Sequence, residues 1–538
     1  MKRLARMKRL APLLAAAGLL ATTVPLLSAT GAAASVPLSH PASSAPASAY
    51  GDALARQPSW HRCAADRPAA YECATIKVPL DHQRPRGPLL DLAISRIKSE
   101  NPAKRHGVLL LNPGGPGGAG LDLPLQILDV LPPEVRDRYD LIGFDPRGVG
   151  ASSPVSCGLD AAEQSVDRPY HPETFAADVA WARTVADKCR ARAGAVLPYL
   201  TTRDTARDMD TIRSALGERR ISYLGYSYGT YLGAVYTQLF PDRADRFVLD
   251  SGVDPGRVWR DMMRTWATEA GPAFDRWTRW TAGRDAEFHL GATPAAVSAT
   301  FWALVARADR DPIEFQGEKL TGDSIRAARP LFFSPARAAP LIAAVKAAAD
   351  GTPPPAGVPS LRAALGAARS AAGEPASDNG LAVFWSVVCG DTDDWPRDPE
   401  RYRSDAVRDK AAYPLYGDFA SNIKPCAFWQ RPLEPVTAVR TRADVLTVQN
   451  EWDSQTPLVS GEGLHRALRG SRMVLALGGE GHGVYLADPG SCVTATVTGY
   501  LATGRLPARD VNCRAATPPP GERRTGPGLP LPSAPDRF

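Results

Sequence analysis

The chain has 538 residues, too many for one small domain, so a large domain carrying an insertion, or two domains, is expected. Apolar content of 44% and charged content of 22% suit a packed globular protein. Five of the charges behind the net +6 (Lys2, Arg3, Arg6, Lys8 and Arg9) sit in the first nine residues; the +1 that remains gives no support to a nucleic-acid surface.

That basic start runs into "LAPLLAAAGLLATTVPLLSA" and then Ala32-Ala33-Ala34. A charged start, an apolar stretch and small residues predict a secretory signal, residues 1–34, cleaved after Ala34. Pro12, Gly18 and Pro25 interrupt the apolar run, which argues against a membrane anchor, and no nearby cysteine offers a lipid site. No stable membrane association is expected after cleavage. Residues 35–58, rich in Ala, Ser and Pro, read as a flexible leader. The eight cysteines are even in number and include no C-x-x-C pair, which predicts disulfides in an oxidising compartment; the count leaves 105 pairings open, and sequential neighbours are the expectation because each closes a loop of modest length.

Strand and helix patterns then alternate. "ATIKVPLDH" and "LLDLAISRIKS" alternate like an antiparallel pair. "GVLLLN" is a continuous apolar run of the kind buried in a parallel sheet, and glycines follow it. After it come the helical "LDLPLQILDVL", the strand "YDLIGFD" and a helix near "DTARDMDTIRSAL". "RISYLGYS" is the next strand, followed by the helix "YGTYLGAVYTQLF", closed by Pro241, and by "RFVLDSGV". From about 255 to 435 the alternation stops, with no strand-plus-glycine pattern. This stretch reads as a mostly helical cap whose tryptophans (Trp259, Trp266, Trp277, Trp280 and Trp302) are core. Alternation resumes with "ADVLTVQNEWD", a helix near "SGEGLHRAL", "RMVLALGGEGHG" and a last helix, "CVTATVTGYLATG". Repeated βα units predict an α/β fold with a doubly wound, mostly parallel sheet. The expected division is core 59–254, cap 255–435, core 436–516 and a disordered tail 517–538.

Chemistry centres on "GYSYG", where a strand meets a helix. Gly225 and Gly229 leave room for a sharp corner that presents Ser227 above the carboxyl end of the sheet. The corner also aims the amide of Tyr228 and the helix N-terminus at the same point. A serine hydroxyl needs a base. Of the eight histidines, His482 alone follows a late apolar strand, between Gly481 and Gly483, in a loop. The acid that orients it should follow the preceding strand: Asp453 in "NEWDSQTP", with Glu451 as the rival. The order Ser, Asp, His fits this architecture. The glycines of "NPGGPGGAG" let the main chain approach a substrate carbonyl, so the Gly115 amide is the expected second oxyanion donor. Asp145 and Arg147 in "GFDPRGVGASS" are expected to pair and brace the loops. No metal or organic cofactor is implied.

Together "NPGGPGGAG", "DPRGVGASS", "GYSYGTYLG", "DSQTP" and "GEGHG" resemble the α/β-hydrolase serine peptidases that include proline iminopeptidases. Within that group the chain is most similar to the secreted tripeptidyl aminopeptidases of Streptomyces and related actinomycetes. The resemblance runs from about residue 60 to 515. One departure is Pro113, standing where the iminopeptidases carry a histidine. The resemblance implies an α/β-hydrolase fold and removal of short peptides, tripeptides above all, from peptides and proteins with free N-termini. It also implies a cap that reads the substrate ammonium with an acid. The strand-like "VFWSVVCGDTDDW" offers Asp391, Asp393 and Asp394, of which Asp391 is the candidate. An esterase with the same triad, a proline iminopeptidase and a peptide-binding paralogue without activity are the alternatives.

Overall fold

The computed structural model describes residues 57–166, 168–365 and 378–515. The expected signal with its cleavage point after Ala34, the leader except its last two residues, and the tail 517–538 lie outside the described residues.

The chain builds a ten-stranded sheet in the order β1-β2-β3-β5-β4-β6-β7-β10-β11-β12. Its first strands are β1 (His61–Arg62), β2 (Glu72–Pro79), β3 (Leu89–Ile97), β4 (Gly107–Asn112) and β5 (Tyr139–Phe144). β2 and β3 pair antiparallel over the full run from Glu72↔Arg96 to Pro79↔Leu89, as their alternating sequences predict. Two helices follow, α1 (Phe175–Ala193) and α2 (Thr202–Ala215). α2 begins where the Thr201 hydroxyl accepts from the Asp204 amide, an N-cap that satisfies one free donor of the first turn. Next come β6 (Ile221–Tyr226), α3 (Tyr228–Leu239) and β7 (Ala244–Asp250). Every residue of β4 and β6 is buried, so a continuous apolar run rather than an alternating one marks these parallel strands.

Residues between 255 and 435 form α4 (Arg260–Ala282), α5 (Pro294–Arg310), α6 (Pro335–Ala349), α7 (Asn379–Gly390), α8 (Pro399–Ala412) and shorter helical turns. Two features differ from the sequence reading. First, a hairpin of β8 (Ile313–Phe315) and β9 (Glu318–Leu320) interrupts the helices. Gln316 and Gly317 both take positive φ at its turn, 50° and 76°, as a two-residue hairpin demands. Second, "VFWSVVCG" belongs to a helix, α7, and not to a strand, and Asp391 follows as its C-cap. Residues Leu381–Gly390 are all buried, so no polar face reveals the helical period, and β-prone Val, Phe and Trp mislead. The predicted apolar role of the tryptophans holds for Trp277, which meets Phe274, Phe301 and Phe332 at 5.0–6.0 Å.

β10 (Val445–Trp452), α9 (Leu458–Ala467), β11 (Arg472–Glu480), α10 (Cys492–Thr503) and β12 (Val511–Arg514) complete the sheet. The four disulfides join sequential neighbours, as expected: Cys63–Cys73, Cys157–Cys189, Cys389–Cys426 and Cys492–Cys513. No helix among the described residues is long and apolar enough to cross a membrane. The fold is the expected α/β-hydrolase class. β4 has its successor β5 on one side and β6 on the other, so the chain reverses its winding direction there. Such a switch opens a crevice at the carboxyl ends of the strands, where Ser227, Asp453 and His482 follow β6, β10 and β11.

Candidate active site

Ser227 joins β6 to α3 at φ 56° and ψ −126°, a conformation that costs a non-glycine residue free energy. The corner closes because its neighbours lack side chains. A Cβ on Gly225 would lie 2.5 Å from the Tyr223 ring, and one on Gly229 would lie 2.8 Å from Asn112 Oδ1. The glycine loop after β4 meets the same corner: a Cβ on Gly114 would stand 2.9 Å from the Ser227 Cβ and 3.2 Å from the Tyr228 amide nitrogen. The Gly114 amide donates to Asn112 Oδ1 at 3.0 Å. The next amide in that loop is that of Gly115.

Asp145 and Arg147 brace this region, but not by pairing with each other. Asp145 Oδ1 accepts the amides of Gly120 and Leu121 and Oδ2 that of Ala151, each at 2.9 Å. Arg147 instead forms a buried two-pronged pair with Asp208 of α2, both bonds 2.6 Å, and donates to the carbonyls of Pro79, Leu80 and Tyr199. In Asp145-Pro-Arg147 the two side chains therefore serve different loops, which spacing alone does not reveal.

His482 and Asp453 come together directly. His482 Nδ1 lies 2.9 Å from Asp453 Oδ2 and 3.0 Å from Oδ1. Asp453 is fully buried and held by the amides of Gln455 (2.8 Å) and Thr456 (3.0 Å) and by the Thr456 hydroxyl (2.9 Å). Burial pulls the imidazole down, but the charge and hydrogen bond of Asp453, with a push from Asp250, leave its pKa above the ordinary value. The rival Glu451 lies apart and accepts the amide of Gly478 at 2.6 Å.

Residues from the cap reach these two loops. Trp266 Nε1 donates to the carbonyl of Gln455 at 2.6 Å and Arg329 to that of Ser454 at 3.0 Å. Ser334 donates to Glu480 at 2.7 Å, and Arg276 pairs with the same carboxylate while lying over the Trp452 ring. Nothing local in the sequence signals these contacts, because the partners are more than 120 residues apart.

Tyr228 places its amide at the start of α3. Its buried phenol shares a hydrogen bond of 2.9 Å with the Thr202 hydroxyl. Asp391 is one step beyond. Its carboxylate accepts the Thr202 amide (2.8 Å) and hydroxyl (2.6 Å) and Trp259 Nε1 (3.1 Å). Burial pushes its pKa up to about 6 against these hydrogen bonds. Asp391 borders a cavity of about 450 Å³ whose wall includes Tyr231, Asp204, Glu434, Arg203 and Arg207, but neither Ser227 nor His482. Asp393 pairs with Arg397 and Arg431, and Asp394 accepts from Thr392.

A family model described as alpha/beta hydrolase fold matches residues 107–306, and one described as TAP-like protein matches residues 413–513. The tripeptidyl aminopeptidase of Streptomyces lividans is 37% identical over 491 residues, covering 86% of this chain and 87% of its own. Serine protease Hip1 of Mycobacterium tuberculosis is 31% identical, covering 83% and 88%, and carboxylesterase B of the same organism is 30% identical, covering 86% and 90%. Identity sustained across nearly the whole length of such relatives makes this chain a member of the tripeptidyl aminopeptidase family of α/β-hydrolase serine peptidases.

Proposed function

We propose that this chain is a secreted serine exopeptidase that releases short peptides, tripeptides first, from the free N-termini of peptides and proteins. The carrying observation is the buried Asp453 bonded to His482 Nδ1, in a fold whose β6–α3 corner holds Ser227 in a strained turn. In this reading Ser227 Oγ attacks the scissile carbonyl while His482 Nε2 takes its proton. The tetrahedral oxyanion is met by the amides of Tyr228 and Gly115. Collapse breaks the C–N bond, the imidazolium gives its proton to the leaving amine, and an acyl-enzyme remains. Water, activated by the same imidazole, then releases the short peptide. Asp453 holds the ring in the tautomer with hydrogen on Nδ1 and steadies the imidazolium.

Four disulfides support an oxidising destination, in line with export. For tripeptide release the support is the likeness to the Streptomyces enzyme. For Asp391 as reader of the substrate ammonium the support is the cavity it borders; against it, three donors already occupy the carboxylate. A second reading, an esterase with the same triad, draws on the likeness to carboxylesterase B. The test compares free and N-acetylated tripeptide amides with a simple ester. Cleavage of the free peptide alone is expected; equal cleavage of the acetylated one refutes the exopeptidase, and turnover of the ester without either peptide favours the esterase.

A further inference from the structure

Asp250, the last residue of β7, and Ser251 after it are fully buried. Their backbones join the strands that lead to the candidate nucleophile and acid. The Asp250 carbonyl accepts the amide of Ser227, and the Ser251 amide donates to the carbonyl of Val448 on β10, each at 2.9 Å. Their side chains turn to the loop that carries His482. The Ser251 hydroxyl accepts the Gly483 amide at 2.9 Å and donates to Asp250 Oδ1 at 3.0 Å. The Asp250 carboxylate accepts the amide of Val484 at 3.1 Å on each oxygen and that of Tyr485 at 2.7 Å. Three consecutive amides directly after His482 therefore end on two side chains, and the backbone of those two residues is tied to Ser227 and to β10.

A buried carboxylate is a costly way to hold neutral amides unless its negative charge has a use. Asp250 forms no ion pair with an arginine or lysine among the described residues. The titratable groups facing it are His482 and the Tyr226 phenol. Those facing the imidazole are Asp453 and Asp250. We propose that Asp250 is a positioning residue of the reaction: it holds the His482 loop in register with Ser227 and sets a second negative charge near the imidazole. Burial, resisted by the amides it accepts, pushes its carboxyl up to about 7, so it gains charge in the range where an imidazole must be free to take a proton.

This inference rests on the serine-hydrolase reading, and its test separates the two. The parent, Asp250→Asn and Ser251→Ala are titrated with a fluorophosphonate and assayed on a free tripeptide amide across pH. The parent is expected to be labelled on Ser227; if it is not, the hydrolase reading fails and this inference falls with it. Asp250→Asn is expected to lower kcat by about 10–100-fold with KM little changed, since a small displacement of a reacting group has that scale of effect. Its acid limb of kcat/KM should also move to lower pH, because losing a nearby negative charge makes the imidazole easier to deprotonate. Ser251→Ala keeps the charge but releases the Gly483 amide, so kcat should fall with the acid limb in place. A labelled parent together with Asp250→Asn at parental kcat overturns the inference, as does a lowered kcat with an unmoved limb, which makes Asp250 merely structural. If Asp250→Asn does not fold, Ser251→Ala decides alone: parental kcat refutes the proposal.

Discussion

Single residues carry the sharpest expectations. Ser227→Ala should fold and yet lose turnover by a factor on the order of 10⁶, the scale found when a triad nucleophile is removed. Circular dichroism with single-turnover assays checks both halves, and substantial residual activity contradicts the assigned nucleophile. Asp453→Asn should cost roughly 10⁴ in kcat because an amide favours the wrong imidazole tautomer. Glu451→Gln should change kcat little, since its carboxylate holds Gly478; reversed effects would move the acid to Glu451. The candidates Ser227 and His482 are legible because each stands between glycines past a strand end, and Asp453 because a strand end runs into the turn "DSQTP". Asp250 is not. "VLDSG" reads as an ordinary strand end, and its purpose appears only when Val484 and Tyr485, over 230 residues away, are brought to it. The same limit hides Asp208, the partner of Arg147, within the helix expected near "DTARDMDTIRSAL".

At the level of elements, the sheet is readable from its apolar runs, whereas α7 reads as a strand because complete burial erases its helical period. The end of α7 supplies a test of how burial works there. Asp391 holds the first turn of α2 through Thr202, and its carboxyl is pushed up to about 6 by burial. An unfolded aspartate titrates near 3.9. The folded state therefore binds this proton more tightly, and the stability it lends is present below pH ~4 and lost as pH rises through ~6. Asp391→Asn lacks that dependence. Its deficit against the parent in urea unfolding should shrink from pH 4 to pH 7 by on the order of 2–3 kcal/mol. A constant gap across this range would mean that the carboxyl is not perturbed in this way.

Across the molecule, the four disulfides each close a short stretch, the longest spanning 37 residues. Denatured protein should show no reactive thiol before reduction among Cys63, Cys73, Cys157, Cys189, Cys389, Cys426, Cys492 and Cys513, and several titrating thiols would refute the pairing. Each bridge is expected to contribute about 2–4 kcal/mol, so reduction should lower the Tm measured by calorimetry. Their existence is legible in the even cysteine count, whereas the choice among 105 pairings needs the fold, which settles on the short loops between neighbours. The contacts from Trp266, Arg276, Arg329 and Ser334 to the loops around Asp453 and His482 needed the fold itself. They bear on protein engineering. Exchanging residues 255–435 for the cap of a relative, as one would do to graft a new substrate preference, also removes the struts under the loops of Asp453 and His482. Chimeras should therefore lose turnover on every substrate, not only the old one, unless those four side chains are carried across with the graft.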